Sequence, residues 1–206
     1  MKGLILKDGF TLMKQAKLFL VMILIFSIVP VYGSATAMFT VVFAAKLSIT
    51  SMSYDERSKW NTLAAMMPYS DTALVLSKYL LAYICILAAS VLSVVGGVIR
   101  AIATGGVLEG EFLIYVVSAV CLAALMVALV FAFIFRFGVE KGRLAYLASI
   151  VLVMVIGGGA TQFLPKLTGI ESISAAAVVI ILAAFTIVVS AISIALSVKF
   201  YKKNRL

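Results

Sequence analysis

The sequence predicts an all-α, polytopic membrane protein with six transmembrane helices. Three observations predict it: 65% of the residues are hydrophobic and only 12% are charged, the mean hydropathy is +1.23, and the apolar residues gather into long runs. A soluble domain is only about 45–50% apolar. A helix needs about 20 apolar residues to cross a hydrocarbon core about 30 Å thick. The 206 residues are therefore expected to form one transmembrane domain, residues 1–206, without room for a catalytic or nucleotide-binding unit.

The runs are Leu18–Val31, Ser34–Met52, Tyr79–Val98, Phe112–Phe135, Leu144–Leu164 and Ser174–Phe200. Each reads as a helix, because a chain in lipid must satisfy its own backbone groups. Pro30-Val31-Tyr32-Gly33 punctuates a tight turn between the first two. A close hairpin of two spans is expected there; a re-entrant hairpin is the alternative, and would leave four full spans.

Residues 1–17 precede the first run. Lys7, Asp8, Lys14 and Lys17 interrupt their apolar positions, unlike the core of a secretory signal, so the segment is expected to be retained. Leu6, Phe10 and Met13 recur at helical spacing while Lys7, Thr11 and Lys14 fall on another face, which suits an interfacial helix. Charge that merely sets topology is the plainer alternative.

Lysine and arginine placement orients the chain. Lys2, Lys7, Lys14 and Lys17 precede the first run; Arg57, Lys59 and Lys78 follow the second; Arg136, Lys141 and Arg143 follow the fourth; Lys199, Lys202, Lys203 and Arg205 end the chain. These fourteen share one side, against Arg100 and Lys166 on the other, so that side is expected to be cytoplasmic, with both termini on it. The same placement explains the net charge of +9 without nucleic acid, since no continuous basic patch forms. Cys85 and Cys121 lie within apolar runs and read as small hydrophobes.

The second connection, residues 53–68, carries the densest signals. Ser53 with Glu56 three residues later reads as a capping box that starts a short helix. Asp55 and Glu56 would sit in its first turn, where the helix dipole favours anions, and Asp55 would pair with Lys59. Trp60, Leu63, Ala64 and Met67 share a face, so the helix should lie along the membrane surface with its polar side in the cytosol. Pro68 should end it, and Ser70 should cap the next helix with Asp71 in the first turn. An ordinary surface connector and a docking element for a cytosolic partner both fit.

Within the runs, Lys46 reads as a snorkelling side chain, or as a contact for substrate or a buried partner. Gly96-Gly97 and Gly157-Gly158-Gly159 permit close helix approach, and the latter triplet marks a candidate subunit interface. The chain has no histidine, which argues against histidine-dependent intramembrane hydrolysis and metal sites. It also lacks the G-x-x-x-x-G-K-[ST] pattern that cradles ATP phosphates. No catalytic or metal-binding residue is expected.

The order of Lys7-Asp8, a first hairpin, Tyr54-Asp55-Glu56-Arg57-Ser58-Lys59-Trp60, Met67-Pro68-Tyr69-Ser70 and Val75-Leu76-Ser77-Lys78-Tyr79 resembles small ABC-2 type transporter permeases. Within that group it is most similar to permeases of bacterial exporters of phenol-soluble modulins and related peptides. The resemblance implies an ABC-2, type V exporter-like permease fold in the bacterial cell membrane. It implies two copies of a separate ABC-type ATPase, which would hold ATP and Mg while this chain binds no cofactor, and a second permease copy, identical or related. An amphipathic or hydrophobic substrate would cross between the permeases, a peptide toxin or antimicrobial peptide being favoured. The coupling helix of such permeases would fall on Tyr54, Asp55, Glu56, Arg57, Lys59, Trp60 and Asn61. Where the group often has a longer polar turn before the proline, this chain has Ala64-Ala65-Met66-Met67. The competing readings are a lipid or antibiotic exporter permease and a substrate-binding subunit of an uptake system. The latter would need a small-residue docking face, and the first run is rich in Leu, Ile, Phe and Val instead.

Overall fold

Apolar residues recurring every three or four positions decide which helices meet. The computed structural model describes residues 2–15, 17–28, 35–104, 112–142, 144–151 and 175–205, and their regular structure is helical. The helices are α1 (Lys2–Gln15), α2 (Lys17–Ile28), α3 (Ala35–Arg57), α4 (Trp60–Met66), α5 (Asp71–Thr104) and α6 (Phe112–Phe137). They are followed by α7, described over 139–142 and 144–151, and α8 (Ala175–Arg205).

Val41, Ala45, Ile49 and Met52 of α3 meet Val75, Tyr79, Ala82 and Ile86 of α5 and Ala119, Ala123, Val127 and Phe131 of α6 in the main core. Each set keeps the helical period. α8 packs most extensively on α6, and α2 fits against α3 and α5. Small side chains line these contacts, with Ala44, Ala45, Ala82, Ala119 and Ala123 fully buried, as is usual where lipid offers no hydrophobic drive and helices associate by close packing.

Gly96 and Gly97 take the close-approach role expected of them. A Cβ at Gly96 would lie 2.1 Å from the Ser27 carbonyl oxygen of α2, and one at Gly97 would lie 2.6 Å from the Phe112 ring. Beside Gly96, the Ser27 hydroxyl donates to the Leu92 carbonyl at 2.7 Å. Farther along α5, the Tyr79 hydroxyl lies 2.7 Å from Ser193 Oγ and 2.8 Å from Ser197 Oγ of α8, and Ser193 donates to the Ala128 carbonyl of α6. The Phe131 ring stands edge-on to Tyr79 at 5.0 Å.

Three helices among the described residues, Asp71–Ala103, Phe112–Phe137 and Ala177–Lys203, are long and apolar enough to cross a membrane. The described part of the first expected run is α2, 12 residues long; it joins α1 at a 78° bend, and the bent pair would make a fourth span. α5 begins well before the expected Tyr79, since Ser70 Oγ accepts from the Ala73 N–H at 3.3 Å and starts the helix there, as its sequence position predicts. The Pro30–Gly33 turn, the Gly157–Gly159 triplet, Glu109 and Lys166 lie outside the described residues.

Candidate coupling site at the basic end

The basic clusters converge on one end of the bundle. α1, the end of α3, α4, the start of α5, the turn after α6 and the end of α8 all line a cleft of about 360 Å³ that includes Asp8, Asp55, Trp60, Lys78, Gly138 and Tyr201. The Phe135 and Tyr201 rings meet edge to face at 5.9 Å.

Four charged side chains hold this end together. Lys7 Nζ lies 2.7 Å from Asp55 Oδ1 and 2.8 Å from Asp8 Oδ1. Lys78 Nζ lies 2.6 Å from Asp8 Oδ2 and also bonds Asp55 Oδ2. Two cations and two anions from α1, α3 and α5 thus close a neutral ring. Asp8 is 1% exposed and Asp55 7%. Burying a charge is costly unless it is paired, so each carboxylate is committed to its partners. Lys7 Nζ also sits 4.0 Å from the Trp60 ring centroid, which attaches α4 to the ring by a cation–π contact.

Glu56, one residue on, points elsewhere. Its Oε2 accepts from the Val139 N–H at 3.2 Å, so an anion caps the N-terminal turn of α7 where the helix dipole favours it. Gly138 supplies the reversal between α6 and α7 with φ of +86°, a conformation in which glycine carries no Cβ penalty. Its N–H bonds the Ile134 carbonyl at 2.8 Å and closes α6.

These contacts correct the sequence reading of residues 53–60. No helix starts at Ser53: α3 runs through to Arg57, and the Ser53 hydroxyl donates to the Ile49 carbonyl one turn back. The capping box does not form because Glu56 caps α7 instead. Asp55 does not pair with Lys59, since it faces inward to Lys7 and Lys78, both stronger partners in the buried setting. α3 ends at a left-handed turn on Lys59, with φ of 52°, and the short helix begins only at Trp60. Arg57, Ser58 and Lys59 form the exposed tip, with Tyr54 and Trp60 half-buried behind it. The side chain of Asn61 is outside the description. Met67 is extended, with ψ of 152°, as the following Pro68 requires. On α4, Ala64 is buried but Leu63 is 51% exposed and Met66 80%, leaving an apolar face for a membrane surface or a partner. On α1, Leu6, Phe10 and Met13 are all more than half exposed, so the expected apolar stripe exists while Lys7 and Asp8 turn to the opposite side.

The charged ring was not foreseen from the sequence. Its signals were an aspartate in an otherwise basic N-terminal segment and a lysine two turns into an apolar helix. Among the described residues no group of histidine, cysteine or carboxylate side chains could hold a metal.

A family model described as "ABC-2 family transporter protein" matches residues 3–202. No curated protein and no solved structure matches the chain. The chain therefore belongs to the ABC-2 transporter family: it is a multi-pass membrane permease of an ATP-binding cassette transporter. Permeases of this family are not themselves enzymes and work with an ABC-type ATPase.

Proposed function

We propose that this ABC-2 permease couples to its ATPase through the α3–α4 tip, and that the charged ring behind the tip carries the motion into the bundle. The observation that carries the reading is the position of Asp55. It lies two residues from the exposed Arg57 and is bonded to both α1 and α5, while the neighbouring Glu56 is bonded to α7. A push on Arg57, Ser58 and Lys59 would displace α3 together with three other helices. A surface connector without such links would bend by itself.

In the full reading the six spans are the six apolar runs of the sequence, with α2, α3, α5, α6, α7 and α8 as their described parts. The basic end faces the cytoplasm of a bacterial cell, and two permease copies enclose the path while two ATPase subunits drive export. Gly157–Gly159 are kept as a proposed permease–permease contact. The substrate is amphipathic or hydrophobic, with a peptide favoured by the resemblance of residues 54–60 and 67–79 to peptide-exporter permeases and a lipid or an antibiotic as the alternative.

The test is co-purification with the ATPase and transport in proteoliposomes. Arg57→Ala and Lys59→Ala should insert and fold as the parent does, because surface substitutions usually change stability by no more than about 0.5 kcal/mol. They should weaken ATPase binding or uncouple hydrolysis from transport. Normal binding and transport in the double variant would reduce the tip to a connector. Labelling of cysteines placed at Lys141 and Lys203 from outside intact cells would overturn the orientation.

A further inference from the structure

A second groove, of about 400 Å³, lies between α3 and α7, bounded by Lys46, Ile49, Ser53, Arg57, Tyr146 and Leu147. Positions 46, 50, 53 and 57 fall on one face of α3, so the groove follows the helix for about 16 Å at about 1.5 Å per residue. A cation stands at each end. Lys46 Nζ is held 5.3 Å from the Phe19 ring centroid and 5.7 Å from that of Tyr146. Lys7 and Lys78 have carboxylate partners, but among the described residues neither Lys46 nor Arg57 meets one. The Thr50 and Ser53 hydroxyls donate to carbonyls of their own helix, at 2.9 and 3.3 Å, which leaves the two cations as donors for an incoming anion.

Besides these residues and two tyrosines, Tyr54 and Tyr146, the groove is lined by the apolar Ile49 and Leu147. Leu144, Leu147 and Val151 of α7 are 59–69% exposed and recur at helical spacing, so an apolar stripe continues from the groove along the outside of the bundle. A lysine within an apolar span is costly unless a counter-charge meets it. Two cations without a carboxylate, beside an apolar stripe suited to acyl chains, complement one molecule that carries both features.

We propose that the α3–α7 groove binds the anionic headgroup of a phospholipid from the leaflet at the basic end of the bundle, with its chains along Leu144, Leu147 and Val151. Arg57 belongs to both proposals, and the two are told apart because this one concerns retention of lipid, which can be measured without the ATPase or transport.

The purified full chain in detergent would be mixed with phosphatidylglycerol, with phosphatidylcholine of the same chains, or with inorganic phosphate, and retained lipid read by native mass spectrometry. The parent should keep phosphatidylglycerol over phosphatidylcholine. Each lost cation should weaken retention about fivefold, in Lys46→Gln and again in Lys46→Gln/Arg57→Gln, while Lys46→Arg should retain lipid as the parent does. Leu147→Trp, which fills the groove and leaves both cations in place, should also lower retention, and this variant decides the matter if the Lys46 variants do not fold. Equal retention of the two lipids by the parent, or parent-like retention in both the double variant and Leu147→Trp, would overturn the proposal. Displacement of the lipid by an equal concentration of inorganic phosphate would overturn it too, by showing a site for a free anion.

Discussion

The basic end and the middle of the bundle join helices by different chemistry. At the basic end, α1, α3 and α5 meet through full charges, Lys7, Asp8, Asp55 and Lys78. Along the spans, α5, α6 and α8 meet through the Tyr79, Ser193 and Ser197 hydroxyls, and α2 meets α5 through Ser27 and Gly96. The difference is one of face as well as of height: Lys78 turns to α1 and α3, the next residue, Tyr79, turns to α8, and the Ser27–Gly96 contact lies farther along α5. Neutral hydroxyls can be satisfied by one or two bonds in an apolar medium, while charges are affordable only near the interface and only in pairs. Neutral, closely packed contacts join the helices there, whereas in the ring each charge is held by two opposite ones. Under the proposed coupling, the ring is the joint through which the tip moves the bundle.

Three substitutions should sharpen this contrast. The largest effect is expected from Asp55→Ala, which leaves two cations, Lys7 and Lys78, with Asp8 alone between them and should cost up to about 3–5 kcal/mol, seen as a fall in thermal unfolding temperature in detergent. Replacing Lys7, Asp8, Asp55 and Lys78 together by apolar side chains of similar volume should recover most of that loss, since buried pairs often give little net stability. If the fourfold variant were as unstable as Asp55→Ala, the ring would be a source of stability and not only of specificity. Next is Gly96→Leu: overpacking against the Ser27 carbonyl should cost about 1–3 kcal/mol and separate α2 from α5, which a cross-link between cysteines placed at Ser27 and Leu92 would report. The smallest is Tyr79→Phe, expected to cost about 0.6–1 kcal/mol, because Ser193 keeps the Ala128 carbonyl as a partner. A loss as large as that of Asp55→Ala would erase the distinction between the two regions.

The hydropathy runs made α5, α6 and α8 legible, and Ser70, Asp71 and Pro68 marked their local boundaries correctly, because capping and proline geometry act within a few residues. The ring was hidden because its partners lie 48 and 70 residues apart along the chain. Glu56 shows the same limit. Its role at a helix N-terminus was readable from its chemistry, but the helix it caps begins at Val139, not at Ser53. Asp55 looked like a surface residue for a related reason: local spacing offered it Lys59, and only the packing of α1 against α5 offered it Lys7 and Lys78. Apolar composition likewise does not report the 78° bend between α1 and α2.

The central claim is that the α3–α4 tip is where the ATPase meets the permease. A photoreactive amino acid placed at Lys59, and as a control at Ile102 near the other end of α5, would test it in native membranes containing the intact transporter. The account predicts a cross-link from position 59 to the ATPase that changes in yield when ATP is bound and hydrolysed, and none from position 102. A cross-link from position 59 to lipid alone, with the ATPase captured from another site, would contradict it.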